Sequence, residues 1–165
     1  MSSSRRSFLG ARFRRAGQEF RPPRALPAGA FEERCNRCGE CAKACPARII
    51  ARGSGGFPKI DFTHGACSFC GDCVRACAAG ALRRTDGGAP WRLEARIGDA
   101  CLALRGVECR ICGECCDAGA IRFRPCRGAV AQPRLDADLC SGCGACLAPC
   151  PAGAIGMTNG PENDE

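Results

Sequence analysis

Hydrophobic positions in this chain come in short groups. Three segments alternate apolar and polar residues behind a glycine turn: residues 57–62 (FPKIDF) after Gly53–Gly56, residues 90–97 (PWRLEARI) after Gly87 and Gly88, and residues 129–135 (AVAQPRL) after Gly128. Period-two alternation beside such turns predicts three short hairpins. Four small-residue stretches close on an aliphatic side chain: PARII (46–50), AAGAL (78–82), DAGAI (117–121) and PAGAI (151–155). Each reads as one or two helical turns. No run approaches the roughly 18 apolar residues of a membrane span, so no transmembrane segment is expected. Large side chains are scarce: eight Phe, one Trp and no Tyr stand against 22 Gly and 11 Pro. Burial alone then offsets little of the conformational entropy lost on folding, and something else must organise the chain.

Eighteen cysteines supply the candidate. They fall into an internal repeat. Three cassettes are regular: Cys35-x2-Cys38-x2-Cys41-x3-Cys45, Cys67-x2-Cys70-x2-Cys73-x3-Cys77 and Cys140-x2-Cys143-x2-Cys146-x3-Cys150, the first and last followed by Pro46 and Pro151. A third unit, between the second and the last, is altered. DAGAI places Cys116 as its fourth cysteine, with Cys112 and Cys109 at the expected spacings, but the first position falls on Gly106. The nearest upstream cysteine is Cys101, which makes the unit Cys101-x7-Cys109-x2-Cys112-x3-Cys116, either with Cys101 as a displaced fourth ligand or with Cys101 as a buried thiol. Cys115 and Cys126 are left over. Cys115 reads as a spare thiol that could replace Cys116, and Cys126 as a free thiol at a hairpin shoulder.

A cubane cluster needs four thiolates around one small body. A C-x2-C-x2-C loop wraps three of them round it, and in two-cluster ferredoxins the fourth cysteine of the run ligates the neighbouring cluster. Zinc modules instead separate two C-x2-C pairs by a longer gap. The spacing therefore predicts [4Fe–4S] clusters: three from the regular cassettes and a fourth from the altered unit. If the repeats pair in the two-cluster way, the sets are Cys35, Cys38, Cys41 with Cys77; Cys67, Cys70, Cys73 with Cys45; Cys140, Cys143, Cys146 with Cys116; and Cys101, Cys109, Cys112 with Cys150. The lone His64 reads as a surface residue. The sequence offers no Ser–His–Asp constellation, phosphate-cradling loop or carboxylate pair, and no enzyme activity is expected.

The expected fold class is α+β: a small, loop-rich, ferredoxin-like polyferredoxin of four cassette–helical turn–hairpin repeats. Residues 34–98 form one lobe with two cassettes, and residues 99–156 a second lobe with the altered cassette and the last regular one. Residues 157–165 form an acidic tail. Residues 1–33 hold seven Arg, three Glu and no Cys, and Arg21-Pro22-Pro23 breaks any helix there. They read as a basic flexible arm, with a helix conceivable over residues 8–15. Residues 4–9 (SRRSFL) look like a twin-arginine export signal, yet Ala11-Arg12-Phe13-Arg14-Arg15 stands where an apolar stretch is needed. A cytoplasmic protein with reduced thiols is therefore expected, which also argues against a disulfide scaffold. The formal charge is +7 with every Cys neutral. Each cluster with its thiolates adds about −2, so four bring the holoprotein close to neutrality and nucleic acid is not an expected partner.

Several motifs are more specific than the cassettes: SRRSFLGARFRR at the start, RPP (21–23), GGFP (55–58), CSFC (67–70), IGDACLA (97–103), VECRIC (107–112), FRP (123–125), QPRL (132–135) and CSGCGAC (140–146). In these the chain resembles the NapF family of ferredoxin-type proteins, encoded with periplasmic nitrate reductases, over nearly its whole length. The resemblance implies a cytoplasmic accessory protein whose partner is the catalytic, molybdopterin-containing nitrate reductase subunit, met before export and helped in Fe–S loading or reduction. It carries the cluster ligands over at the three regular cassettes. A soluble electron-transfer polyferredoxin, shuttling between a reductase and an oxidoreductase, would use the same cassettes.

Overall fold

In the computed structural model, which describes residues 19–84 and 89–160, every regular cassette turns on two left-handed residues. The residue before the second cysteine has positive φ (Arg37 60°, Phe69 56°, Gly142 71°), and so has the residue after it (Gly39 79°, Gly71 78°, Gly144 82°). Right-handed backbone would carry the chain away in a helix. The left-handed pair curls it back, so that three side chains face one centre. A single helical turn follows in the first two cassettes, α2 (Glu40–Lys43) and α3 (Asp72–Arg75), each with the third cysteine buried on its inner side. The altered unit has α4 (Ile111–Glu114) here, and the last cassette only turns over 145–149.

One tight turn recurs after all four fourth cysteines. The N–H three residues on donates to the carbonyl of Cys45, Cys77, Cys116 and Cys150 at 2.8–3.1 Å. The donating residues, Arg48, Gly80, Gly119 and Gly153, are all left-handed. These stretches are thus turns rather than the helical turns expected of them, because a left-handed residue stops helix propagation; the helical turn lies before the fourth cysteine. The aliphatic ends pack inward as the pattern implies. Ile49, Ala81 and Ala120 are 1–2% exposed, and Leu82 and Ile121 are buried beside them.

The strands form three two-stranded antiparallel sheets. β1 (Ile50–Arg52) and β2 (Pro58–Ile60) make the first expected hairpin. β4 (Ile121–Cys126) and β5 (Ala129–Leu135) make another, with a bulge between Arg124 and Cys126. The middle hairpin is different. Its turn glycines lie outside the described residues, and β3 (Leu93–Ile97) pairs with β6 (Ile155–Asn159), in register from Leu93↔Asn159 to Ile97↔Ile155. Local alternation marked the strand correctly but carries no information on a partner more than fifty residues away. The pairing takes β6 three residues into the segment expected as tail.

The N-terminal segment also departs from expectation. The helix considered over residues 8–15 lies outside the described residues, but the folded body begins by Glu19, not near residue 33. Ile60 N–H donates to the Phe20 carbonyl (2.8 Å), Leu26 N–H to Ala81 (3.0 Å) and Arg83 N–H to Arg24 (3.0 Å). The Glu19 carboxylate accepts from Ser54 N–H (2.9 Å) and Lys59 Nζ (3.1 Å), which together hold its pKa below the usual range. α1 (Ala28–Arg34) buries Phe31 completely, and Pro22 is also fully buried. The prolines that break a helix here set an extended strap instead, and apolar Phe20, Pro22, Leu26 and Phe31 have core to cover.

The two halves interlock around Trp91. Its indole N–H donates to the Ser141 carbonyl (3.0 Å), and its ring meets Phe62 and Phe69 edge-on at 5.9 and 5.7 Å. Cys67 N–H donates to the Cys143 carbonyl (2.8 Å). Leu147 and Met157 pack against both buried cores, the one around Phe31, Ile49 and Phe62 and the one around Ala95, Cys112, Ile121 and Cys146. At this seam Gly144 is left-handed and its missing side chain leaves room for the Phe62 ring, into which a Cβ would be driven. Gly153 is left-handed with nothing within 4 Å of such a Cβ. Gly144→Ala should therefore cost about 2–5 kcal/mol of holoprotein stability and Gly153→Ala about 1–2, measured as paired denaturant unfolding curves. Equal losses for the two variants would mean that the seam does not carry the packing assigned to it.

Candidate metal centres

Four cavities open beneath the turns just described, and each is walled by thiols from two repeats. Cys35, Cys38, Cys41 and Cys77 line one of about 170 Å³. Cys45, Cys67, Cys70 and Cys73 line its neighbour, about 200 Å³. In the other half, Cys101, Cys109, Cys112 and Cys150 line a cavity of about 20 Å³, and Cys115, Cys116, Cys140, Cys143 and Cys146 line another of the same size. The second pair is drawn in tighter than the first. In every case the fourth cysteine has left its own loop for the cavity of the paired repeat. The sixteen thiols that spacing singles out thus stand together in the four sets that crossed pairing demands.

The cause of the crossing is local. After its third cysteine each chain completes one turn and emerges on the far side, with the fourth cysteine N–H closing the turn on the Ala42, Val74, Gly113 or Leu147 carbonyl at 3.1–3.3 Å. The following tight turn then aims the thiol away from its own loop. Backbone N–H groups cap three of the thiols: Leu82 N–H on Cys77 Sγ (3.4 Å), Ala95 N–H on Cys140 Sγ (3.5 Å) and Ala154 N–H on Cys150 Sγ (3.3 Å). Such donors favour sulfur carrying negative charge.

The altered unit solves the same problem with different backbone. Arg110, where a regular cassette has its second left-handed residue, is at φ −130°. The chain reaches the cavity earlier, at Cys101, passes through a single 3-10 turn (Ala103–Arg105), and reverses at left-handed Gly106. The five extra residues thus form a small turn that hands the role of the missing cysteine to Cys101.

The third cysteine of each unit is the most buried: Cys41, Cys73, Cys112 and Cys146 are 8–9% exposed. Burial pushes the Cys41 and Cys112 thiols up to about 11 and that of Cys146 to about 12, and raises Cys73. Neighbouring thiols push the same way, each from its own set: Cys35, Cys77 and Cys38 on Cys41; Cys101, Cys109 and Cys150 on Cys112. These thiols are neutral at pH 7, so metal loading must displace protons and is favoured as pH rises. Across the seam Cys143 also raises Cys67, after burial, Cys45 and Cys70, and within the second half Cys112 raises Cys146. The four cavities therefore adjoin one another in the order Cys41 set, Cys73 set, Cys146 set, Cys112 set.

The donor set fits iron–sulfur clusters. The metal-ligating side chains that line the four cavities are thiols, with no imidazole or carboxylate among them, and soft thiolate selects iron–sulfur or zinc over harder ions. The thiols rim a space instead of meeting at a point. Among the described residues no group of three or more Cys, His, Asp or Glu side chains closes on a single ion. His64 is exposed, and Cys126, on the bulge of β4 with Sγ 3.8 Å from the Arg124 carbonyl, lines none of the four cavities. Cys115, which the sequence left as a spare thiol able to replace Cys116, lines the last cavity beside it, and the alignment of the repeats, taken up below, accounts for its place there. Among the described residues no helix is long and apolar enough to cross a membrane.

Comparison with known proteins supports the assignment. Residues 34–81, the first two cassettes, match the model of a 4Fe-4S dicluster domain, and residues 133–156, the last cassette, that of a 4Fe-4S binding domain. The chain is 43% identical over 155 residues to the ferredoxin-type protein NapF of Escherichia coli (strain K12), covering 94% of each. It is 44% identical over 144 residues to ferredoxin-type protein NapF of Haemophilus influenzae, covering 87% of this chain and 81% of that one. It is also 33% identical to the methylamine utilization ferredoxin-type protein MauM of Methylophilus methylotrophus, over 88% of this chain and 72% of the relative. Iron–sulfur domains on the cysteine-walled cavities, and similarity that runs almost end to end, lead to one conclusion: the chain belongs to the NapF family of ferredoxin-type iron–sulfur proteins.

Proposed function

We propose that the protein holds four [4Fe–4S] clusters and serves as a cytoplasmic accessory protein for the catalytic, molybdopterin-containing subunit of a periplasmic nitrate reductase. It would assist that subunit's Fe–S loading or reduction before export. The observation that carries this reading is the NapF similarity over 94% of the chain. When bound, the clusters supply one-electron chemistry; the chain's own part is to hold them. Cys35, Cys38, Cys41 and Cys77 hold the first, and Cys45, Cys67, Cys70 and Cys73 the second. Cys101, Cys109, Cys112 and Cys150 hold the third, and Cys140, Cys143 and Cys146 with Cys116 the fourth. No residue is assigned a catalytic role.

The basic N-terminus favours a specific protein partner over a freely diffusing shuttle. Residues 1–18 hold five Arg and no acidic residue. A cationic segment of that density steers association with an acidic surface and loses strength as salt screens it. The boundary matters for the test, because residues 19–34 belong to the core and must be kept.

Two outcomes follow. Anaerobic iron and acid-labile sulfide analysis of the purified protein should give about sixteen of each per chain; a firm value near twelve would return Cys101 to a structural thiol. Protein lacking residues 1–18 should keep its full iron content yet capture less of the unexported nitrate reductase subunit from anaerobic cytosol, with the deficit largest at low salt. Capture that does not change with the deletion at any salt concentration would sink the role given to the arm.

A further inference from the structure

The last cavity has five thiols where the others have four, and the repeat explains how. The residues Ala76, Cys77, Ala79, Ala81 and Leu82 line the Cys41 cavity. Cys115, Cys116, Ala118, Ala120 and Ile121 line the Cys146 cavity. The two sets are in one-to-one register, each residue of the second lying thirty-nine positions after its counterpart in the first. The turns correspond too: Cys77 N–H donates to Val74 and Cys116 N–H to Gly113, and Gly80 and Gly119 are the left-handed residues that follow. Cys115 therefore occupies the place of Ala76, a wall position from which a side chain faces the cavity. In the first half that wall is a methyl group; here it is a thiol beside the thiol of Cys116.

We propose that Cys115 and Cys116 are interchangeable ligands of the cluster at this site, with Cys140, Cys143 and Cys146 as the constant three. This rests on the four-cluster reading and deepens it. The exchange is balanced within the protein: as one thiol forms its bond to iron, the other's bond breaks. The incoming thiol loses its proton and the departing thiolate takes one up, with no change of oxidation state. The ligand can change without leaving an iron open to water. Each of the other three sets has a single cysteine at the corresponding place: Cys45 follows Ala44, Cys77 follows Ala76 and Cys150 follows Pro149.

The test uses full-length holoprotein purified anaerobically, with iron and sulfide content and the low-temperature electron paramagnetic resonance of the oxidised and reduced forms. Cys115→Ser and Cys116→Ser should each keep wild-type iron to within about one atom per chain, whereas Cys115→Ser/Cys116→Ser should lose about four, or show the signal of a three-iron species. Cys77→Ser, whose neighbour is Ala76, should lose as much on its own. A Cys116→Ser protein as depleted as Cys77→Ser overturns the proposal. Wild-type protein without a fourth cluster would instead defeat the four-cluster reading beneath it. Should a variant fail to fold, brief alkylation of the wild-type holoprotein followed by peptide mass analysis decides the matter. Label divided between Cys115 and Cys116 supports exchange, and label confined to Cys115 refutes it.

Discussion

The fourth cysteine of each repeat crosses into its neighbour's cavity, and the rest of the structure depends on that crossing. Cys45 and Cys77 exchange places in one half, Cys116 and Cys150 in the other. No repeat completes a set of four thiols by itself. Two consecutive units must therefore fold against each other before either site exists, and a bound cluster would fasten both. For a chain with one Trp and no Tyr, this replaces much of what a large apolar core does elsewhere. The buried cores reflect it: Cys41 and Cys73 sit among the residues of one, Cys112 and Cys146 among those of the other.

The halves are joined less symmetrically than they are built. The seam uses the loop of the last cassette, where the Cys143 carbonyl accepts from Cys67, the Ser141 carbonyl from Trp91, and Gly144 makes way for Phe62. The strap over residues 19–27, by contrast, is hydrogen-bonded to Ile60, Ala81 and Arg83 of the first half and to Pro90 on the approach to β3. This arrangement places the Cys73 and Cys146 sets at the centre and the Cys41 and Cys112 sets at the two ends. Cys38 and Cys70 are the exposed thiols, so the first half presents its metal sites closer to the surface.

Much of the site was legible because ligand spacing is a short-range property. Cys35, Cys38 and Cys41 must share a loop whatever the fold, and the second-place glycine in each regular cassette marks the left-handed turn that closes it. The displaced Cys101 could be found by repeat arithmetic because the DAGAI stretch anchors the count. Long-range facts were not legible. Nothing in PWRLEARI names β6 as its partner, and RPPRALP reads as a helix breaker without revealing that Pro22 and Phe31 will be buried. Cys115 looked spare because adjacency in sequence does not say which way a side chain faces; that depends on the turn it sits in, visible only beside Ala76.

The most direct measurement is iron anomalous scattering from crystals of the anaerobically purified protein. The account predicts four compact iron peaks, each contacted by three cysteines of one repeat and the fourth cysteine of its pair, with Cys77 on the peak of Cys35, Cys38 and Cys41. Iron held by four cysteines of one cassette, such as Cys35, Cys38, Cys41 and Cys45 together, would contradict the crossing on which the fold is argued to rest.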